Sequence, residues 1–187
     1  MEKEILNLPN KFYLLSADLS LTRPGFAFFK ITDKVELIRL INVDNKKKKK
    51  PHGQILDEIM KVFTNEVFPF SSEKTFPVYF VREKEILHMK VPSERSVTKT
   101  VGLMDWFAYS IYSTIKNDKL FDGNWYEIYP VTVKCLVAGS GKATKEDVAN
   151  SLEKYIGKHE YRCDDESDAA AVGIAWLIQQ GRIKEVT

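Results

Sequence analysis

Three segments with strand character follow one another near the start of the chain, and only short connections separate them. They are residues 13–20 (YLLSADLS), 26–32 (FAFFKIT) and 35–43 (VELIRLINV), with a turn at Asp33 and Lys34 between the last two. Aromatic and β-branched residues favour strands, and strands joined by short connections tend to pair in antiparallel fashion. This succession predicts an antiparallel meander at the beginning of the fold.

The rest of the chain alternates between helical and strand patterns. Apolar periodicity and capping residues predict four helices, at residues 53–67, at 97–117, from Thr144 and at 165–180. Short apolar runs predict two more strands, at residues 77–81 and 126–129. The five lysines after Asn45 predict a loop. The whole order predicts an α/β fold with one mixed five-stranded sheet, three antiparallel strands followed by two parallel ones, flanked by helices on both faces.

Size and composition fit a single folded domain, residues 1–187, since a chain of this length can bury a sizeable core. The formal net charge of +2 neither requires nor excludes a nucleic-acid partner, because the clustering of charge matters more than its total. Cys135 and Cys163 lack metal-site spacing and predict reduced, structural cysteines. With no membrane-length segment and no signal-peptide core in the sequence, we expect a cytoplasmic protein.

The last predicted helix opens with a cluster of acidic residues. Asp165 and Asp168 are three residues apart, so they project from neighbouring points on one helix face. The small residues that follow, Ala169 to Ala171, would let the helix lie close against a sheet. Acidic residues also stabilise a helix N-terminus through its dipole. Taken alone, this cluster is explained more simply by the helix dipole than by catalysis.

Two acidic residues in other segments change that interpretation. Asp18 interrupts an otherwise apolar strand, where a carboxylate is costly to bury unless a charge pairs with it. Glu83 follows the apolar strand at residues 77–81, at the kind of strand end where α/β proteins bind ligands. One sheet could bring these groups together with Asp165 and Asp168. Clustered carboxylates need cations, and oxygen ligands suit two Mg²⁺ or Mn²⁺ ions, which support phosphodiester hydrolysis.

These segments resemble the RuvC family of Holliday junction resolvases, within the RNase H-like (retroviral-integrase) superfamily. SADLSLTRPGFAFFKI resembles the first hairpin of that family, with Asp18 at the first catalytic aspartate. VYFVREKEI resembles the fourth strand, which places the catalytic glutamate at Glu83, with Glu85 as the fallback. PVTVKCLVAGSGKATKEDVANSLEKYI and then DDESDAAAVGIAWLI resemble the closing part of the family pattern, with its aspartate pair at Asp165 and Asp168.

The resemblance implies a magnesium-dependent crossover junction endodeoxyribonuclease with an RNase H-like fold. All four acidic residues would be catalytic and would bind two metal ions, with in-line attack by an activated water leaving 5′-phosphate and 3′-hydroxyl ends. Two alternatives remain open. One is a nuclease of the same fold that cuts flaps, forks or RNA–DNA hybrids. The other is a non-catalytic junction-binding module, against which four acidic groups facing phosphate argue.

Several basic residues are candidate DNA contacts. Lys134 and Lys145 fall on the lysines of the family pattern, and Lys142 lies in the glycine-bearing loop between them. His88 and Lys90 follow Glu83 and are further candidates. Residues 86–89 (ILHM) replace the aromatic residue that the family usually has there, a divergence that suggests a phage or prophage member in a bacterial or phage-infected cell.

The glycine-bearing loop also resembles a nucleotide-binding loop, AGSGK at residues 138–142. Leu136 and Ala143 depart from the pattern that such loops require, because the first position should be glycine and the last serine or threonine. The sequence therefore predicts no nucleotide cofactor. Contact between this loop and a DNA backbone remains open.

The helix predicted at residues 97–117 is apolar on more than one face. The expected core stripe comprises Val97, Val101, Met104, Ala108, Ile111 and Ile115. Leu103, Trp106 and Phe107 are displaced from that stripe. A second apolar face should be covered, which predicts a homodimer through the helix around Trp106. A dimer also suits paired cuts on two strands related by two-fold symmetry.

Overall fold

A computed structural model describes residues 5–20, 23–44, 50–67, 76–84, 92–115, 121 and 123–185, with the backbone alone at 66–67, 92–97 and 114–115. Its five strands are β1 (Phe12–Asp18), β2 (Gly25–Ile31), β3 (Val35–Asn42), β4 (Val78–Glu83) and β5 (Trp125–Ile128). They form one sheet in the order β3-β2-β1-β4-β5. The first three strands are antiparallel neighbours, whereas β4 runs parallel to β1 and β5 parallel to β4. The predicted mixed sheet is confirmed.

Helices cover both faces of this sheet. They are α1 (His52–Val62), which continues as a π-helical turn (Phe63–Val67), α2 (Pro92–Ile115), α3 (Pro130–Ala138), α4 (Lys145–Ile156) and α5 (Asp164–Gln179). Side chains of α1 and α2 pack with one set of buried strand residues, and those of α3, α4 and α5 with the other. In the part of the chain that is described, no helix has the length and apolarity needed to cross a bilayer.

Helix α3 was not predicted from the sequence. Its run VTVKCLV is rich in β-branched residues, which favour strands, so the helical signal is weak. Pro130 nevertheless suits the first turn of a helix, and Val133 and Val137 are buried one turn apart. Gly139 ends the helix with a φ of 73°, a left-handed conformation that glycine adopts without strain. Tertiary packing thus makes this segment helical despite its low intrinsic helix propensity.

The buried face of α2 is wider than predicted. Met104, Ala108 and Ile111 are buried as expected, but Phe107 is also buried and its ring lies 4.2 Å from that of Phe63, between ring centroids. The prediction that Phe107 points away from the core is therefore wrong. Residues at i, i+3, i+4 and i+7 share one helix face, so Phe107 belongs to the same stripe. Trp106 is exposed, as predicted.

Helix α5 packs closely against the sheet. The Ser16 hydroxyl on β1 donates to the Ala169 carbonyl at 2.7 Å. A Cβ added to Gly25 on β2 would stand 2.0 Å from the Asp165 carbonyl oxygen. A Cβ added to Gly173 would meet the Phe29 ring at 2.6 Å. These close approaches, together with the alanines of α5, fix the start of the helix beside the end of β1.

Candidate active site

Two acidic side chains lie side by side where the parallel central strands end. Asp18 is the last residue of β1 and Glu83 the last of β4. The register of the two strands pairs Ala17 with Arg82, so Asp18 and Glu83 follow at the same edge. Side chains alternate along a strand, and Ser16, two residues before Asp18, faces α5. Asp18 therefore points to the α5 face of the sheet, and Glu83 does so by the same alternation from Val81.

Helix α5 brings the other two predicted acids to this edge. Its first turns carry Asp165 and Asp168, whose side chains are 20% and 18% exposed. Both carboxylates act electrostatically on Asp18, and that of Asp168 acts on Glu83. The four acids predicted from three separate segments are thus brought together by the fold.

Burial and the neighbouring carboxylates disfavour the charged forms of Asp18, Glu83 and Asp168. Burial raises the pKa of Asp18 to about 7, with further increases from Glu83, Asp168 and Asp165. Burial also raises the pKa of Glu83 to about 7, with a further contribution from Asp168. The pKa of Asp168 is raised mainly by burial, against the lowering effect of Lys145. Raised carboxyl pKa values of this kind, caused by burial and by neighbouring like charges, are common at functional sites.

Lys145 provides positive charge within the cluster. Its ammonium group pairs with the Asp168 carboxylate and lowers the pKa of both Asp18 and Glu83. The residue opens α4, where Thr144 and Asp147 form a reciprocal capping box that fixes the helix start. The sequence predicted a DNA contact for Lys145, and the structure adds a direct partner among the acids.

Of the other predicted DNA contacts, the structure describes Lys134 and Lys142. Lys134 on α3 is close enough to Glu83 to lower the pKa of that carboxyl. Lys142 is exposed in the turn between α3 and α4, where its backbone N–H donates to the Ser140 hydroxyl at 3.2 Å. Glu85, His88 and Lys90 lie outside the described residues.

Arg23 is a charged residue of the site that sequence reasoning missed. It lies in the connection between β1 and β2, and its guanidinium donates to the Asp44 carboxylate at 3.1 Å. Its other terminal nitrogen, Nη1, stands 3.8 Å from an Asp165 oxygen. An arginine five residues after Asp18, in a short hairpin connection at the same sheet edge, is the signal that could have indicated it.

The donor set fits a hard divalent cation in its chemistry. All four acids offer carboxylate oxygens, the ligands that Mg²⁺ prefers. Burial first, and neighbouring carboxylates second, raise the pKa of Asp18, Glu83 and Asp168, and a nearby cation would favour their charged forms. Across the described ranges, no group of three or more acidic, histidine or cysteine side chains is already arranged to hold an ion. A cation bound at Asp168 would compete with Lys145 for that carboxylate.

The raised pKa values predict a pH-dependent stability. Asp18 takes up its proton near pH 7 in the folded protein and near its ordinary value of 3.8 when unfolded. The folded state then binds more protons between these values, so the free energy of unfolding should fall as pH rises from about 4 to 7. We expect Asp18→Asn to melt higher than the wild type at pH 8 in EDTA, with the difference shrinking toward pH 4.

Thermal melts of the two proteins across this pH range measure the effect, with the exposed Asp33→Asn variant as the matched control. Magnesium should raise the wild-type melting temperature at pH 8 more than that of Asp18→Asn. A difference between the two proteins that stays constant with pH would refute the electrostatic account of Asp18.

Comparison with known proteins adds an independent line of evidence. No protein-family model matches the chain. The crossover junction endodeoxyribonuclease RuvC of Sulfurovum sp. (strain NBC37-1) is 45% identical over 56 residues, which is 29% of this chain and 35% of that protein. The match thus spans about a third of the relative's length.

Solved structures extend the likeness to nearly the whole chain. T. thermophilus RuvC in complex with Holliday junction substrate superposes with a TM-score of 0.71 at 19% identity, covering 94% of this chain and 99% of that one. A second Thermus thermophilus RuvC structure gives a TM-score of 0.68 at 19% identity, with coverages of 93% and 98%. Likeness at such identity concerns the fold. The chain therefore has the RNase H-like fold of RuvC, and a segment of 56 residues is similar in sequence to part of one crossover junction endodeoxyribonuclease RuvC.

Proposed function

We propose that this chain is a magnesium-dependent endonuclease that resolves four-way DNA junctions in the cytoplasm of a bacterial or phage-infected cell. The observation that carries the proposal is the convergence of Asp18, Glu83, Asp165 and Asp168 at one sheet edge, with two pKa values raised to about 7. Its support from comparison is the likeness to RuvC, one structure of which is a complex with a Holliday junction substrate. It is costly to bury several like charges close together. A metal-dependent reaction would explain why the chain carries four acids at this sheet edge.

The four carboxylates are the groups that would hold two Mg²⁺ ions, or Mn²⁺ in their place. Bound magnesium supplies the positive charge that makes a water nucleophilic and stabilises the leaving oxygen in phosphodiester hydrolysis. Asp18 and Glu83 are held by paired strands, and the Ser16 hydrogen bond to Ala169 anchors the helix that carries the other two. The protein thus positions its acids on rigid elements rather than on loops.

Lys145 and Lys134 would orient the phosphate at the cut. Each lies within electrostatic range of Glu83, and Lys145 also pairs with Asp168. With Asp168 holding a metal ion, the Lys145 ammonium would be available to bind a phosphate oxygen.

We expect Lys145→Ala and Lys134→Ala each to slow cleavage, by about 10- to 100-fold as is usual for groups that support metal ligands. Each loss of a phosphate contact should also reduce the slope of log affinity against log salt by about one. Single-turnover rates and junction affinities across salt concentrations measure both effects. Lys154→Ala, at an exposed position of α4, is the matched control. Rates and slopes equal to that control in both variants would make the two lysines ordinary surface residues.

We further propose a homodimer formed through α2 around Trp106. Trp106 and Tyr109 are 60% and 65% exposed and lie three residues apart, so they form one aromatic surface on the helix. Exposed Gly102 lies one turn before Trp106, where it would let a second helix approach closely. The neighbouring Asp105 binds Arg82 at 2.5 Å, which ties this part of α2 to the sheet. A two-fold contact here would cover the aromatic surface and hold two active sites in fixed relation.

Trp106→Glu is expected to give a folded monomer that loses paired cutting, since an unpaired carboxylate in a buried interface is costly. Sedimentation of the free and junction-bound protein measures the oligomeric state, and Asn150→Glu on the exposed side of α4 is the control. A wild type that stays monomeric even on a junction would refute the proposed dimer. So would a Trp106→Glu protein that still dimerises.

A panel of substrates tests the proposed specificity. Four-way junctions, flaps, replication forks, RNA–DNA hybrids and linear duplexes of matched sequence are offered to the wild type in magnesium. We expect the four-way junction to be bound most tightly and cut fastest. Faster cutting of a flap, fork or hybrid would reassign the substrate within the same fold. Tight junction binding without any cutting would favour a non-catalytic binding module.

A further inference from the structure

Arg23 lies at the same sheet edge as the acids, on the side of Asp18 away from Glu83. The register of β1 and β2 pairs Asp18 with Gly25, and Arg23 comes two residues before that glycine. In the strand order β3-β2-β1-β4-β5, the end of β1 therefore has the start of β2 on one side and the end of β4 on the other. A path along this edge passes from Glu83 through Asp18 to Arg23.

The backbone around Arg23 is fixed on both sides. The Arg23 N–H donates to the Ser20 hydroxyl at 2.8 Å. The Val43 N–H donates to the Pro24 carbonyl at 3.2 Å, which extends the pairing of β2 and β3 one step beyond Gly25. A residue before proline is restricted to extended conformations, so Pro24 also limits the backbone of Arg23. The arginine side chain thus starts from a defined position.

Asp44 orients the guanidinium of Arg23. One Asp44 oxygen accepts a hydrogen bond from Nη2 at 3.1 Å. The other terminal nitrogen, Nη1, stands 3.8 Å from an Asp165 oxygen, which is an ion-pair distance but is too long for a hydrogen bond. The arginine side chain is 26% exposed, so a ligand can reach it from solvent. Nη1 is therefore held beside a predicted metal ligand and in a position to donate to a further acceptor.

The surroundings of Arg23 favour a phosphate as that acceptor. An arginine keeps its positive charge, and its planar fork of donors suits phosphate oxygens. Under the proposed function, a DNA strand brings one phosphate to Asp18 and Glu83. Neighbouring strands of a sheet lie about 4.8 Å apart, so the start of β2 is roughly 5 to 10 Å from the ends of β1 and β4. This is the scale of the distance between neighbouring phosphates of one DNA strand.

We propose that Arg23, oriented by Asp44, binds the backbone phosphate next to the one that is cut. The cleaved strand then crosses the sheet edge from β4 toward β3. Lys134 lies near Glu83 at one end of this path, and Arg23 lies near Asp165 at the other. This inference rests on the proposed function and adds to it the direction in which the DNA strand crosses the site.

Four-way junctions in which one phosphate at a time is replaced by an uncharged methylphosphonate test the proposal. Affinity is measured in EDTA for successive positions around the cut that the wild type makes in magnesium. We expect the wild type to bind about tenfold more weakly when one of the two phosphates that flank the cut is neutral, because a charge-assisted hydrogen bond is lost. Arg23→Gln should be insensitive to that position, and its slope of log affinity against log salt should fall by about one. Arg39→Gln, at an exposed position midway along β3, is the matched control.

Asp44→Asn separates the orientation of the arginine from its charge. The Asp44 side chain is 45% exposed, so the fold should tolerate this change. The salt slope should equal that of the wild type, because the charge of Arg23 remains. The loss of affinity at the sensitive position should be smaller than in the wild type, because a poorly aligned hydrogen bond is weaker. An equal loss in both proteins would refute the orienting role of Asp44.

The outcomes separate the phosphate contact from the nuclease proposal. An Arg23→Gln protein with the wild-type sensitivity at every position, or with the salt slope of the control, would overturn the contact. Sensitivity that depends on Arg23 but lies away from the cut would overturn the proposed path of the strand. A wild type that binds the junction without cutting it in magnesium would contradict the nuclease activity, whereas the dependence of one phosphate on Arg23 is decided by binding alone. A wild type that does not bind the junction would contradict both.

Discussion

Replacing Asp18 with asparagine should reduce cleavage of a four-way junction by about 1,000-fold or more, while the protein still folds and binds the junction. Asp18 is the most central acid, since Glu83, Asp165 and Asp168 all contribute to its raised pKa. The amide keeps the shape of the carboxyl group but removes the charge that would hold magnesium. Junction affinity should stay the same or increase, because one source of repulsion toward phosphate is gone.

The same outcome is expected for Glu83→Gln, Asp165→Asn and Asp168→Asn. Single-turnover cleavage and junction binding are measured for each variant beside Asp33→Asn, which neutralises an exposed carboxylate in the turn after β2. Turnover at the wild-type rate in any one variant would remove that residue from the site. Loss of activity in Glu85→Gln with an active Glu83→Gln would move the second acid by two positions along the chain.

Gly25→Ala is the second change with a large expected effect. An added Cβ would stand 2.0 Å from the carbonyl oxygen and 2.6 Å from the carbonyl carbon of Asp165, and these are backbone atoms that cannot rotate away. The start of α5 must then move off β2. We expect a loss of stability of about 1–3 kcal/mol, as for other overpacked sites. Cleavage should fall about 100-fold, because Asp165 and Asp168 shift relative to Asp18.

Chemical denaturation and single-turnover cleavage measure these two effects separately. Gly53→Ala is the control, since a Cβ at that helical position would meet nothing within 4 Å. It should leave stability and cleavage close to wild type. A Gly25→Ala protein with wild-type stability and rate would show that the close approach of β2 and α5 is not needed for the site.

The sheet and the acids were predictable because their signals are local and strong. Strand patterns with short connections defined β1 to β3, and a carboxylate inside an apolar strand marked Asp18. Asp18 could be recognised as a candidate site residue without knowledge of distant residues, because burial of an isolated charge is unfavourable in any fold. The convergence of Asp18 with Asp168 followed from the parallel arrangement of the central strands and the small residues of α5.

Features set by tertiary contact were not predictable in the same way. The segment of α3 has weak helical propensity and becomes helical because Val133 and Val137 pack on the core. Phe107 was assigned to the wrong face because the width of a buried stripe depends on what packs against it, here Phe63. The approach of Arg23 to Asp165 depends on a hairpin connection meeting a helix that is distant in sequence.

Cleavage of a synthetic four-way junction by the wild-type protein, with magnesium and with EDTA, tests the proposed endonuclease activity most directly. Each of the four strands is labelled in turn, so that the position of every cut is known. We expect paired cuts on two strands related by two-fold symmetry in magnesium, and no cuts in EDTA. A folded protein that binds the junction without cutting it in magnesium, or that cuts equally in EDTA, would contradict a magnesium-dependent junction endonuclease.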